Sequence, residues 1–322
     1  MSVGVGPLFA DIRDACAEVA ARARWASIDP AAIEPYARTL APHIAPLAHT
    51  PEHHLLGRGD DTLAFFVILD TINFGSGYSP HLAKDGASGY FTVAQRLTRH
   101  CQAHGVPAAA ELMRWTAQDC ARIFQQDLAN PHAQELMWLF ALALNTLGAW
   151  ADGRYGGDLL GFLRRARNAE EAVRALAAMP FFRDIATWGD REVPFLKRAQ
   201  ILLHDLAIAA PGHPLLGFPD LAELTIFADN IVPFVLRADG VLRYDDWLDR
   251  RIANGELIGS GAPEEIEMRA CAVRAAELLR GALARTGRSV TAREIDQALW
   301  TRGQEIRGRV AARPHLTRCT YY

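Results

Sequence analysis

At Asp29-Pro30, at Asn130-Pro131 and in the Thr-Ala-Arg-Glu stretch Thr291–Glu294, a capping side chain stands directly ahead of an apolar run. Asp, Asn and Thr side chains accept hydrogen bonds from the first free N–H groups of a helix. Proline at the first helical position sacrifices no bond, and a glutamate three residues after threonine closes the box. Between such starts lie runs that suit helices. "VPFLKRAQILLHDLAIAA" (193–210) holds so many apolar residues that only a buried helix would use them all, and "AELMRWTAQDCARIFQQ" (110–126) repeats Leu112, Trp115, Cys120, Ile123 and Phe124 as one helical stripe. Strand-like alternation is scarce, with short pieces expected only near "TLAFFVILD" and "GVLRY". The expected fold class is all-α.

No Gly/Ser/Pro-rich linker, charge block or repeat divides the 322 residues, of which 50% are hydrophobic and 22% charged. This is the composition of a globular chain with a large core. One domain over residues 1–322 is expected, compatible with two lobes, with residues 1–50 a helical segment packed on it. A net charge of −3 speaks against a broad contact with polymeric DNA or RNA, which calls for a basic face. Arg302, Arg307, Arg309, Arg313 and Arg318 concentrate positive charge late in the chain, and a solvated helix face accounts for them more readily than a phosphate site. Five cysteines without a CxxC pair point to a reducing compartment. No export signal and no membrane-length apolar run is visible. A cytoplasmic monomer is expected, without contact to a membrane.

The stretch "LTIFADNIVPFVLRADG" (224–240) sets Asp229 inside an apolar run. A helix starting near Pro219-Asp220 would bury Leu221 and Leu224, and Pro233, whose ring opposes the carbonyl four residues earlier, would break it at Asp229. A carboxylate at such a bend beside Phe227 is a plausible corner of a site; capping of the next turn by Asp229 or Asn230 explains it equally well. In "HTPEHH", His49 and His53 are four apart, yet Thr50-Pro51 interrupts a helix and no HExxH or cysteine supports a metal, so none is expected. "LDTINFGSGYSP" ends an apolar run at Asp70, Asn73 and Phe74, with a lone GxG that is weak evidence for phosphate. Lys197 and Arg198 either face solvent or grip an anion. Glu267 and Arg269 read as an ion pair, and Asp296 and Trp300 share one helical face.

In order along the chain, "LDTINFGSGY", "FRD…VPFLKRAQILLHDL", "LTIFADNIVP", "EIEMRACAVRAAEL", "IDQALW" and "PHLTRCTYY" resemble the queuosine 5′-phosphate N-glycosylase/hydrolase family from about His53 to Tyr322. The resemblance implies an all-helical fold with likeness to helical DNA glycosylases. It further implies hydrolysis of a small-molecule nucleotide, queuosine 5′-monophosphate, to queuine and ribose 5-phosphate, with neither metal nor cofactor. Carried onto this chain, it makes Asp229 the nucleophile or transition-state stabiliser, with Phe227 and Ala228 beside the base. Asp296, Trp300 and Thr301 fall at the base-contacting motif, and His53 and His54 remain alternatives for the family's histidine. Departures from the pattern stand at Asn230-Ile231, where many relatives have Tyr-Arg, at Thr301, and in "NFGSGY".

The chemistry agrees with these residue types. Breaking an N-glycosidic bond builds positive charge on the ribose, which a fixed carboxylate stabilises. A 7-deazaguanine has no N7 to protonate, so its departure leans harder on that carboxylate. Asp296 would balance the cationic amine of queuine, Asn73 or Asp70 would read polar edges, and Lys197 would hold the 5′-phosphate. Phe227 and Trp300 would stack on the base. The rival readings are a helical nucleic-acid glycosylase or tRNA-binding module, and a helical partner-binding protein without catalysis.

Overall fold

A computed structural model of the chain describes residues 7–46, 48–84 and 88–322. In chain order the elements are α1 (Leu8–Arg22), β1 (Ala26–Ile28), α2 (Pro30–Leu40), α3 (Asp60–Thr71), α4 (Gly89–His104), α5 (Ala109–Leu112), α6 (Ala117–Ile123), α7 (Pro131–Tyr155), α8 (Gly161–Arg165) and α9 (Ala169–Ala177). They continue with β2 (Ile185–Trp188), β3 (Arg191–Pro194), α10 (Lys197–Ala209), α11 (Ile231–Ala238), β4 (Leu242–Tyr244), α12 (Asp246–Ala253), α13 (Pro263–Arg285) and α14 (Ala292–Ile306). The architecture is all-α, with short two-stranded ladders β1–β4 and β2–β3.

Local chemistry starts the helices where the caps stand. Asp29 accepts from the Ala31 N–H at 3.0 Å, Asn130 accepts from the His132 N–H at 3.0 Å, and the Glu294 carboxylate accepts from the Thr291 N–H at 2.8 Å. One cap was not anticipated. Thr116 accepts from the Asp119 N–H at 3.2 Å while Asp119 accepts from the Thr116 N–H at 3.0 Å, so a new helix opens there. The single stripe expected over 110–126 is therefore two helices, α5 and α6. The strand piece expected at "TLAFFVILD" is helix α3 instead, buried from Phe65 to Thr71 on every side, which leaves no helical period to read. "GVLRY" does supply strand β4.

The chain divides into two compact units, each assembled from separate segments. The first holds the described residues up to 46 with Asp184–Lys197 and Asp220–Arg318. Its axis is α13, buried almost without break from Glu264 to Val273, against which α1 and α2 pack. The β1–β4 ladder pairs Ala26 with Tyr244 and Ile28 with Leu242. Asp239 joins α2 to α14, accepting from the Tyr36 hydroxyl at 2.9 Å and from Arg302 at 2.6 Å. Arg302 is thereby an ion-pair partner and not a member of a free basic face. The second unit holds Ala48–Arg183, Arg198–Pro219 and Cys319–Tyr322. Its centre is α7, packed on α3, α5 and α6. Where α5 crosses α7, a Cβ on Gly148 would stand 2.5 Å from the Ala109 carbonyl, so only glycine permits the approach.

Glycine has the same function where α11 packs on α14. A Cβ on Gly303 would lie 2.4 Å from the Ile231 Cγ2 and 3.1 Å from the Val235 Cγ2, both on β-branched, buried side chains with little freedom to move. Gly303→Ala should gain about 1 kcal/mol of helix propensity and lose about 1–3 kcal/mol to overpacking. A melting temperature lowered by a few degrees is the expected outcome of thermal unfolding, whereas the same change at the exposed helical Gly153, where a Cβ meets nothing, should raise it.

Candidate active site

The segment carrying Asp229 is not the kinked helix expected from its proline. Leu221–Glu223 form a single 3₁₀ turn, residues 224–228 continue without helix, and α11 begins at Ile231. Pro233 is the third residue of α11, where a backbone N–H has no intrahelical acceptor in any case, so the proline interrupts nothing. The bend at Asp229 is a helix start. Asp229 caps it: Oδ1 accepts from the Ile231 N–H at 2.7 Å and from the Val232 N–H at 3.1 Å. Among the described residues its other oxygen, Oδ2, makes no hydrogen bond, and the residue is half-buried. Capping and chemistry are therefore compatible in one carboxylate, with Oδ1 fixing the orientation and Oδ2 left to act.

Phe227 and Ala228 are buried just before this bend. The Phe227 N–H donates to Asp296 Oδ1 at 2.8 Å, so the backbone beside Asp229 also orients the second acid. Asp296 lies buried on α14, and its carboxyl is pushed up to about 8 by burial and by the charge of Asp229, against opposing pulls from the Phe227 N–H and Lys197. At neutral pH this shift favours the protonated carboxyl, which nothing in the Asp296 motif itself announces. Trp300, half-buried, follows one turn later on α14. Thr301 is exposed and accepts from Gln297 at 3.4 Å, so its side chain is not brought to the acids.

Lys197 is 4% exposed, and among the described residues its ammonium makes neither a hydrogen bond nor an ion pair. Buried ammonium groups are costly unless compensated, and Lys197 is close enough to the Asp296 carboxyl to pull on its titration. Its backbone N–H donates to Asp184 Oδ2 at 3.1 Å. Asp184 in turn pairs with Arg269, Nη2 to Oδ2 at 2.6 Å and Nη1 to Oδ1 at 3.1 Å. The ion pair expected between Glu267 and Arg269 is thus replaced. Glu267 instead accepts from the N–H groups of Arg24 and Trp25 at 2.8 and 2.6 Å and from the Trp188 indole at 3.2 Å, because residues two apart on a helix face different sides.

In the second unit, His54 is the buried member of the histidine pair and His53 the half-buried one. His54 Nδ1 faces the Thr50 carbonyl at 3.2 Å and so carries the proton, which leaves Nε2 to accept from the Tyr90 hydroxyl at 3.0 Å. Burial, helped by His49, pushes its pKa down to about 3, and the ring stays neutral. His53 pairs with the Thr50 hydroxyl at 2.9 Å. Asn73 donates to Asp70 Oδ1 at 2.9 Å, and Asp70 is fully buried at the end of α3. Arg198 is buried, and its guanidinium donates to the carbonyls of Asp70, Thr71 and Phe181 between the rings of Phe74 and Phe182. Among the described residues, no three His, Cys, Asp or Glu side chains gather as a metal site.

The model of the queuosine salvage protein family matches residues 53–322. The chain belongs to that family. A queuosine 5′-phosphate N-glycosylase/hydrolase of Sphaerobacter thermophilus is 36% identical over 273 residues, covering 82% of this chain and 83% of the relative. Proteins of the same name from Mus musculus and Dictyostelium discoideum are 28% identical over 291 residues and 30% identical over 248. The mouse protein aligns over 84% of this chain and 85% of its own length, the Dictyostelium protein over 76% and 74%. In this member of the queuosine salvage family the matched region holds Asp229, Asp296, Lys197, Asp184 and Arg269.

The Asp296 carboxyl titrates in the fold near 8 and in the unfolded chain near 3.8, so the native state holds the extra proton between those values. Its contribution to stability is complete below about pH 4 and is lost as pH rises through about 8. Asp296→Asn keeps an acceptor for Phe227 and does not titrate. The melting temperature of wild type relative to this variant is expected to fall steadily between those pH values and level off above them.

Proposed function

We propose that this queuosine salvage family member hydrolyses the N-glycosidic bond of queuosine 5′-monophosphate, releasing queuine and ribose 5-phosphate. The observation that supports the reading is a pair of acids in different surroundings: Asp229 with one oxygen anchored on the α11 N–H groups, and Asp296, buried, with its carboxyl pushed up to about 8 and hydrogen-bonded to the backbone of Phe227. The names of the relatives supply the substrate class.

The bond from the anomeric carbon to the base nitrogen breaks with its electron pair going to the base. Positive charge grows on the ribose, and the Asp229 carboxylate stabilises it. A 7-deazaguanine cannot be protonated at N7, so the departing base must take its proton at another ring atom from an acid of the protein. Asp296 gives that proton, and water adding to the anomeric carbon returns one to the carboxylates. Divergent environments for two carboxyl groups are the usual route to such a division of labour. Lys197, buried and with no hydrogen bond or ion pair through its ammonium among the described residues, is suited to the 5′-phosphate. Phe227 and Trp300 offer rings for the base. The engagement of Arg302 by Asp239 weakens the case for a polymeric nucleic acid, and five free, buried cysteines support work in the cytoplasm. We take the protein to act as a monomer.

Purified protein incubated with queuosine 5′-monophosphate should release queuine. Asp229→Asn is expected to reduce kcat by about 10²–10³ or more, as removal of a transition-state electrostatic group does. No release by wild type, or undiminished release by that variant, overturns the reading. Wild-type activity is expected to decline as pH passes about 8, and Asp296→Asn should lower kcat by about 10²-fold and abolish that decline. Lys197→Met should raise KM for the 5′-phosphate while leaving kcat/KM for the unphosphorylated nucleoside nearly unchanged.

A further inference from the structure

We infer that the buried pair Arg269–Asp184 is a positioning device for the reaction, setting the Asp229 carboxylate and the Lys197 ammonium in register with each other. The inference rests on the reading of Asp229 and Lys197 given above. Arg269 on α13 is 2% exposed and Asp184 is 1% exposed, so the pair is removed from water and its geometry is not averaged by solvent.

Each partner holds a different half of the site by its backbone. Arg269 Nε donates to the Ala228 carbonyl at 2.9 Å, one residue before Asp229. Its two terminal nitrogens fork onto Asp184, and its plane lies over the Phe195 ring at 3.9 Å. Asp184 Oδ2 accepts the Lys197 N–H, which is the first of α10, so the carboxylate that pairs with Arg269 also starts the helix carrying Lys197. The Asp184 carbonyl accepts from Phe195 and Leu196, each at 3.0 Å. Leu196 sits at φ 48°, a left-handed conformation that a leucine adopts only when its surroundings impose it. The path from Ala228 to Lys197 therefore crosses one guanidinium and one carboxylate, without a flexible link.

A lysine at 269 keeps the charge and loses the fork. An asparagine at 184 keeps the shape and sets an NH₂ group against a guanidinium that can only donate. The first change acts on the Ala228 carbonyl and the second on the Lys197 N–H, both through the backbone. Glu265 is the internal control. It meets the same guanidinium at 3.3 Å and otherwise accepts from the Gly261 N–H at 3.2 Å, with no bond to the Ala228 or Lys197 backbone among the contacts described.

The test measures kcat, KM and folded fraction for Arg269→Lys, Asp184→Asn and Glu265→Gln. The two positioning variants are expected to lose about 10²-fold in kcat per folded molecule with KM within a few-fold, since misplacement of about 1 Å can remove that much. Glu265→Gln should melt at a lower temperature and turn over at the wild-type rate. A second readout does not need turnover: the Asp296 carboxyl, followed by ¹³C NMR, feels the charge of Asp229, and its midpoint should shift by at least about half a unit in Arg269→Lys at a temperature where the fold is intact. Wild-type kcat per folded molecule in both positioning variants, or an unmoved Asp296 midpoint, overturns the inference. Wild type that is active and Asp229→Asn that is dead, beside fully active Arg269→Lys, sinks only this inference. A wild type that releases no queuine sinks the functional reading instead.

Discussion

The interaction on which the first unit depends is the Arg269 guanidinium buried among Asp184, Glu265 and the Ala228 carbonyl. Removing two charges from water carries a penalty of several kcal/mol per ion, and a well-packed apolar pair of the same volume is often as stable or more so. Stability alone therefore does not account for such a pair. What an apolar pair cannot supply is direction. A guanidinium has donors in fixed positions, and here they address a carboxylate, a second carboxylate and a backbone carbonyl at once. The result is a fixed distance between segments that are far apart in sequence, at the place where the chain has neither a regular helix nor a ladder to fix it.

Around that anchor the two acids diverge because their surroundings differ. Asp229 is half-buried and has one oxygen committed to a helix start. Asp296 is enclosed on α14 with a single backbone donor, and the charge of Asp229 makes a second charge beside it unfavourable. With one carboxylate held at a helix N-terminus, burial of its neighbour is the larger of the two causes that raise that neighbour's pKa. Phe227 connects them: its ring is buried next to the bend, its N–H orients one acid, and two residues later the chain presents the other.

The all-α class and the helix starts at Asp29, Asn130 and Thr291 were legible because caps act over a few residues, within reach of a reading of sequence. The same locality made the Thr116–Asp119 cap available, and it was missed because an aspartate stands where the box usually has glutamate. Helix α3 was misread because a helix buried on every side has no stripe. The bend at Asp229 was legible, but its cause was misattributed to Pro233 when it is a helix start. Asp184 and Arg269 are 85 positions apart, and nothing local announces that they meet. The same holds for Asp296, whose raised pKa depends on burial and on Asp229, neither of which is a property of its own motif.

The departures of this chain from the pattern of its family fall on packing more than on chemistry. Asn230 is buried and donates its side-chain amide to the His315 carbonyl at 3.2 Å, tying the bend to the segment that follows α14. Ile231 fills the space opposite Gly303, where even a methyl group would clash. Thr301 faces solvent beside Gln297. A Tyr-Arg pair in the first two positions would demand a different partner for His315 and a different surface on α14. Substitution there can therefore proceed together with its packing partners while Asp229, held by α11 on one side and through Ala228 by Arg269 on the other, keeps its place.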